Sequence, residues 1–289
     1  MSDPYRIDEP AVVFLSGGRT SGYMLYRILE AHEGLPDHIK VVFANTGKEM
    51  PQTLDFVRDM GENWGVDVTW VEARVRAGGE GENKYVYSTV VVDYETASRD
   101  GRPFSELIIA RRYLPNIVAR FCTSELKVRR IKDFIQASCQ ITTWIQVIGI
   151  RADEPRRAVK MLNREQEGNE VYLPLYTAGV TKEEVGRFWE QQNFDLQLPN
   201  NQGVTDWGNC DLCFLKGHYK KQSIIRARPD LADWWIAQEA YVSHIAKDTS
   251  AAHFRNDQPS YATMKARTTM EIPMFEFEDD DSIPCFCGD

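Results

Sequence analysis

Through its first half the chain alternates between short apolar runs and longer stretches patterned for helices. Residues 11–15 (Ala-Val-Val-Phe-Leu) are wholly apolar and predict a strand. A glycine turn follows. From Thr20 to His32, the residues Tyr23, Met24, Tyr26, Arg27, Ile28 and Leu29 recur at helical spacing. Residues 39–44 (Ile-Lys-Val-Val-Phe-Ala) predict a second strand, and residues 66–71 a third. Between them Pro51 suits the first turn of a helix running to Trp64. Strands alternating with helices give parallel βαβ units with right-handed crossovers. The expected fold is therefore α/β: a doubly wound, mainly parallel sheet with helices on both faces.

The pattern then changes. Residues 76–104 are rich in glycine and charge, with one β-like stretch at Tyr85–Tyr94, and read as an insertion or flap. Residues 123–138 predict a basic helix, Thr142–Ile150 a fourth core strand, and 151–170 a highly charged loop. Thr181 should cap a helix to about Asn193, with Glu184 placed for a capping box. After Leu196 the chain is loop-rich, carries a cysteine pair, and turns helical around Pro229–Lys247. This divides the chain into an α/β domain over 1–195 and a helical, cysteine-bearing C-terminal extension over 196–289.

Composition narrows the function classes. The net charge of −9 argues against a uniformly basic nucleic-acid face, while leaving room for a local basic groove. No apolar run approaches the length of a membrane span, and the N-terminus has no apolar signal region. A cytoplasmic protein without a membrane partner is expected. In that setting disulfides are the weaker reading of the cysteines. The close pairs Cys210/Cys213 and Cys285/Cys287 point to metal or redox chemistry, with oxidisable thiols as the alternative. Cys139 reads as a core residue.

The segment Ser16-Gly17-Gly18-Arg19-Thr20-Ser21-Gly22 stands between a strand and a helix. Glycines let the backbone approach an anion, and the amides at a helix start favour a phosphate there. Ser16, Thr20 and Ser21 add hydroxyls. A plain strand-to-helix turn with a serine cap is the simpler alternative. The chain contains neither Gly-x-x-x-x-Gly-Lys-Ser/Thr nor Gly-x-Gly-x-x-Gly at this turn, so the usual ATPase and dinucleotide loops are not indicated.

Ser16–Ser21 resembles the Ser-Gly-Gly-x-Asp-Ser signature of the PP-loop, or adenine-nucleotide α-hydrolase, superfamily. Thr20 stands where that signature has Asp. Further segments resemble the PAPS reductase-like group, which includes DNA phosphorothioation sulfurtransferases. Phe43-Ala44-Asn45-Thr46-Gly47 with Glu49, Pro51 and Thr53-Leu54 looks like its second-strand motif. Arg120-Phe121-Cys122-Thr123 with Leu126-Lys127 looks like its Arg-x-Cys-Thr-x-x-Leu-Lys element. Gly149-Ile150-Arg151-Ala152-Asp153-Glu154 looks like the start of its Gly-x-Arg-x-x-Glu-Ser-x-x-Arg loop, with Pro155 in place of Ser and Arg157 one position early. The four motifs occur in order over about residues 11–160.

The resemblance implies an adenine nucleotide, ATP or a PAPS-like molecule, held by Ser16, Gly17, Gly18, Thr20, Ser21, Asn45, Thr46, Gly47, Gly149, Arg151 and Arg157. Mg²⁺ is a companion such a nucleotide allows. Lys127 and Arg151 are the implied catalytic residues, neutralising charge on the reacting phosphate. The phosphorothioation branch also implies a [4Fe–4S] cluster on Cys122, Cys210 and Cys213, with Cys285 or Cys287 as fourth ligand. Four thiolates serve zinc equally well by chemistry alone.

Arg111, Arg112, Arg120, Lys127, Arg129, Arg130 and Lys132 concentrate positive charge and read either as a polyanion site or as a solvated helix face. Trp234 and Trp235 read as core packing ahead of base stacking. The leading expectation is nucleotide-dependent sulfur transfer, with DNA or RNA as acceptor and a protein as sulfur donor. Two alternatives stand beside it. One is a sulfonucleotide reductase, although the chain ends Cys-Phe-Cys-Gly-Asp and lacks that group's Glu-Cys-Gly-Leu-His element. The other is a non-catalytic nucleotide- or nucleic-acid-binding protein.

Overall fold

Six strands build one sheet: β1 (Ala11–Leu15), β2 (Ile39–Asn45), β3 (Val68–Ala77), β4 (Tyr85–Val92), β5 (Ile145–Ile148) and β6 (Val171–Tyr172). The computed structural model describes residues 3–78, 84–163, 170–245, 252–269 and 282–283. The spatial order is β4-β3-β2-β1-β5-β6. All neighbours pair in parallel except β3 and β4. The doubly wound α/β expectation holds.

Along each strand successive side chains point to opposite faces. Val13, Leu15, Val41 and Phe43 face one core, closed by α1 (Arg19–His32), α2 (Pro51–Trp64) and, later in the chain, Val185 and Trp189. Val12, Val42 and Val71 face the other, under Ile131 and Ile135. Ile148 and Ile150 meet Ala158 and Met161 beside it.

Between β4 and β5 lie α3 (Arg102–Arg111), the short α4 (Phe121–Thr123), a π-helical turn (Ser124–Val128) and α5 (Arg129–Ser138). Next come α6 (Pro155–Leu162), α7 (Pro174–Thr177) and α8 (Lys182–Glu190). The C-terminal region adds α9 (His218–Ala227), α10 (Ala232–Ile245) and α11 (Tyr261–Thr269). Among the described residues no helix is long and apolar enough to cross a membrane.

Several local expectations are corrected. The stretch from Tyr85 is no separate flap: β4 pairs with β3 from Trp70↔Val92 to Ala77↔Tyr85 as the edge of the main sheet. The fourth core strand is shorter than Thr142–Ile150, and β3 runs past residue 71 to Ala77. The charged segment after residue 151 contains α6, because Arg157, Ala158 and Met161 face inward while Arg156, Val159 and Lys160 face out. Glu184 forms no capping box; its carboxylate accepts a hydrogen bond from Tyr23 Oη at 2.9 Å.

The C-terminal region shares its core with the α/β domain. Ala73, Val75 and Phe104 pack with Leu212, Phe214, Ile225, Trp235, Phe254 and Tyr261. Trp235 is fully buried there, as core packing requires.

Candidate functional site

The turns after β1 and β5 lead to opposite sides of the sheet, since β2 lies on one side of β1 and β5 on the other. That reversal opens a crevice at the carboxyl ends of the strands. Its first wall is the turn Ser16–Gly18. Gly17 has φ +79°, and a Cβ there would lie 2.5 Å from Thr53 Cγ2. Only glycine meets both conditions without strain. Gly18 caps α1 without a side-chain hydrogen bond, so the first-turn amides have no side-chain acceptor at the cap.

The turn's hydroxyls are engaged within it. Ser21 Oγ donates to Gly18 O at 3.0 Å, lies 2.8 Å from Ser16 Oγ, and accepts from Ser16 N at 3.2 Å. They brace the loop, so an anion placed there would meet main-chain N–H groups. Arg19 points away: it pairs with Asp195 through Nε (2.7 Å) and Nη2 (2.6 Å) and fastens the start of α1 to the segment before Leu198.

The β5 loop closes the other wall. A Cβ on Gly149 would lie 3.3 Å from Ser21 Cα, so the two loops touch. The Arg151 guanidinium is buried and donates to Asp153 Oδ1 (2.9 Å) and Thr20 Oγ1 (3.0 Å). Arg157 Nη1 donates to Glu154 Oε1 at 2.7 Å. The acidic pair thus orients the two arginines, while Arg156 is exposed.

The loop after β2 supplies the third edge. The Asn45 amide is buried and donates to Glu72 Oε1 (2.7 Å) and Ser98 O (2.8 Å), while its Oδ1 accepts from Gly47 N. Thr46 donates to Glu49 through both its amide and its hydroxyl. The Glu49 carboxylate lies 3.6 Å from Lys127 Nζ.

This edge also holds the cysteine loop. Cys210 forms a β-bridge with Glu49, and Asp211 N donates to Lys48 O at 2.7 Å. Beneath them a buried ion pair joins Lys48 Nζ to Asp211 Oδ2 at 2.8 Å. Thr46 Oγ1 is 3.5 Å from Cys210 Sγ. Cys122, Cys210 and Cys213 line one small cavity together with Thr46, Lys127 and Trp235. Burial pushes the Cys210 thiol well above its usual range; the Glu49 carboxylate adds to this and Lys127 opposes it. Cys285 and Cys287 lie outside the described residues. Among the described residues no three His, Cys, Asp or Glu side chains are disposed to share one metal ion.

Two larger cavities flank the rim. One, of about 430 Å³, includes Arg151, Arg157, Cys213, Lys216 and Lys220 in its wall. The other, of about 660 Å³, lies between α4 and α6 and includes Ile117, Val118, Arg120, Thr123 and Lys160. Both fall within the size range of ligand sites.

The basic run from Arg111 to Lys132 is not one continuous face. Arg111 and Arg129 both pair with Glu125, and buried Arg130 bonds Glu125 O, Thr89 and Asp133. Lys216 and Lys220 were not singled out from sequence. Their only signal there is that they closely follow Cys213 in a chain of acidic balance.

No family model matches the chain. Over 213 residues it is 31% identical to the uncharacterized nin region protein ORF290 of Escherichia phage lambda, covering 72% of this chain and 67% of that protein. Over 188 residues it is 28% identical to an uncharacterized 37.8 kDa protein in the gpa 5′ region of Escherichia phage 186, covering 57% of this chain and 54% of that one. The chain thus spans about half the length of the phage 186 relative.

Proposed function

Since the chain belongs to the family of the nin region protein ORF290 of phage lambda, we propose a function for that family: a PAPS reductase-like enzyme that uses an adenine nucleotide for sulfur transfer. The observation that carries this reading is the shared cavity of Cys122, Cys210 and Cys213 with Thr46 and Lys127, the last of which also shares a small cavity with Ser16 of the glycine turn. An anion-binding turn and a thiol site on one rim are what sulfur chemistry on a nucleotide requires.

The nucleotide's anionic tail would lie against the amides of Gly17–Ser21. Those donors are fixed before the ligand arrives, and so favour charge that grows on a phosphate during attack. Arg151 would neutralise the tail from the β5 loop, and Lys127 from the cysteine side. Gly149 keeps the two loops close enough to share one ligand.

As the resemblance implies, Cys122, Cys210 and Cys213 would hold an iron–sulfur cluster, with zinc as the alternative that thiolates serve equally well. Phe104, Leu126, Phe214 and Trp235 line the same small cavity. The fourth ligand would come from Cys285 or Cys287. Ile283 N donates to Leu215 O at 2.8 Å, and Cys285 follows two residues later in sequence. When bound, the cluster supplies redox and sulfur-binding capacity. A nucleic-acid acceptor is supported by the cavity beside Arg120 and Lys160.

Anaerobic purification tests the assignment. The expected product is a brown protein with broad visible absorption that binds ATP or PAPS and, given ATP with a sulfur donor and an acceptor, releases AMP and pyrophosphate. Thiol-dependent sulfite release from PAPS would select the reductase alternative. A colourless protein with stoichiometric zinc would reject the cluster, and absence of any nucleotide binding would reject the whole reading.

A further inference from the structure

β4 ends the sheet on one side, and among the described residues no strand pairs with its outer edge. In an antiparallel ladder alternate residues turn their N–H and C=O groups outward, so this edge presents a row of main-chain donors and acceptors. The strand reads Tyr-Val-Tyr-Ser-Thr-Val-Val-Val over residues 85–92. It contains no charge and no proline, two devices that usually guard a long edge. The sheet's other edge strand, β6, is only two residues long.

Burial points the same way. No residue of β4 is buried, although its neighbour β3 is buried from Trp70 to Val75. Val86 is 50% exposed and Val91 59%. The strand is nonetheless fixed in place. Tyr85 and Tyr87 pack against the C-terminal core, and Thr89 Oγ1 meets Arg130 Nη1 at 3.0 Å and Asp133 Oδ2 at 3.3 Å. An apolar strand is thus held ready with its edge outward.

We infer that β4 is the interface of a two-fold dimer, in which it pairs antiparallel with β4 of a second copy and joins the two sheets into one. Charge selects that occupant and that direction. Exposed Lys84 and Asp93 flank the strand. Antiparallel pairing brings the Lys84 end of each copy to the Asp93 end of the other, whereas parallel pairing would set like charges side by side. A two-fold axis normal to the sheet preserves each face, and directly opposed residues share a face, so the axis passes through a residue. Centred on Ser88, it sets Val86 against Val90 of the second copy and Val91 against Tyr85. Centred on Thr89, it sets Val86 against Val92 and Val91 against Tyr87. In either register both exposed valines gain a valine or tyrosine across the strands, pairs that stabilise a sheet. The axis also reverses strand direction, so the two crevices open at opposite ends of the joined sheet and each stays complete within one copy. The dimer is therefore independent of the chemistry proposed above.

The test is sedimentation equilibrium of the full chain over a range of concentrations, with amide hydrogen exchange read on the same samples. A monomer–dimer equilibrium is expected, and the outward amides of residues 85–92 should gain protection as the dimer fills. Val86→Lys combined with Val91→Lys changes two side chains that are at least half exposed in one copy. It should leave the thermal melt of the monomer unchanged and weaken dimerisation at least about ten-fold, because edge lysines block strand pairing. Val86→Thr with Val91→Thr keeps β-branched, uncharged side chains and should still dimerise. A wild type that stays monomeric at every concentration would overturn the inference. So would a dimer that the two lysines leave intact. The exchange measurement on the wild type stands even where the lysine variant fails to fold: a dimer without added protection of β4 places the interface elsewhere.

Discussion

Arg151 donates through Nη1 to the Thr20 hydroxyl at 3.0 Å, across 131 positions of sequence. The contact joins the β5 loop to the first turn of α1 at a position where the resembling superfamily signature carries Asp. On this side the guanidinium meets a neutral hydroxyl, while its Nε meets the Asp153 carboxylate at 2.9 Å. Thr20→Asp would put a buried carboxylate against Arg151 and beside the helix amides, where it competes with a phosphate. ATP affinity in chelator should fall about ten-fold or more, and Mg²⁺ should recover much of it by bridging carboxylate and phosphate. Titration of both proteins with and without Mg²⁺ reads this; identical curves for the two would defeat the argument.

Gly17 offers a separate test of the turn. Alanine there meets two penalties, a φ of +79° and a methyl 2.5 Å from Thr53 Cγ2. Together they should destabilise the fold by about 1–3 kcal/mol and distort the amides that face the crevice. Thr53→Ser removes the opposing methyl but not the backbone strain. In urea melts the double variant should regain part of the lost stability, while nucleotide affinity stays low. Full recovery of both would mean the backbone conformation is unimportant.

How far the sequence revealed this structure depends on what each buried position is made of. β1, α1, β2 and α2 were legible because their inward residues are apolar and Pro51 marks a helix start. α6 was not, because Arg157 occupies one of its inward positions and is held there by Glu154. α9 was missed in the same way: Lys221 and Gln222 are buried beside Ile224 and Ile225. The glycine turn, the β2 loop and the β5 loop could be placed on one rim from topology alone. Docking of the cysteine loop could not, since it depends on Lys48 and Asp211, two charged residues that read as solvated until their pairing is seen.

That ion pair is itself testable. Lys48 and Asp211 are both buried, and Asp211 also accepts from Trp235 Nε1 at 2.7 Å. Asp211→Asn leaves an ammonium buried beside a neutral amide, which should cost about 3–5 kcal/mol. Replacing both partners, Lys48→Met with Asp211→Leu, should recover much of that stability, as apolar pairs of similar volume commonly do. The double variant should nonetheless expose the cysteines to a thiol reagent faster than the wild type, because the clamp on the β2 loop is gone. Unchanged thiol reactivity would show that the β-bridge between Glu49 and Cys210 suffices to hold the loop.

At the opposite end of the sheet, His32 and His38 fasten the N-terminal segment. His32 Nε2 accepts from Ile7 N at 3.0 Å, and His38 Nε2 lies 2.8 Å from Ile7 O. Burial, then the nearby charges of Arg6 and His38, hold the His32 imidazolium below its usual range, with Asp8 and Asp3 opposing. An acceptor nitrogen must be unprotonated, so the folded state binds its proton more weakly than the unfolded chain. The unfolded state therefore carries more protons as pH falls below about 6.5, and stability declines with it. The contribution is complete above that pH and is lost as pH drops through the lowered folded value. The protection factor of the Ile7 amide should fall between pH 7.5 and 5.5, and trypsin should cut more readily after exposed Arg6. His32→Gln keeps an acceptor without a titrating group, so it should remove the pH dependence and preserve protection. Equal loss of protection in that variant would defeat the assignment to His32.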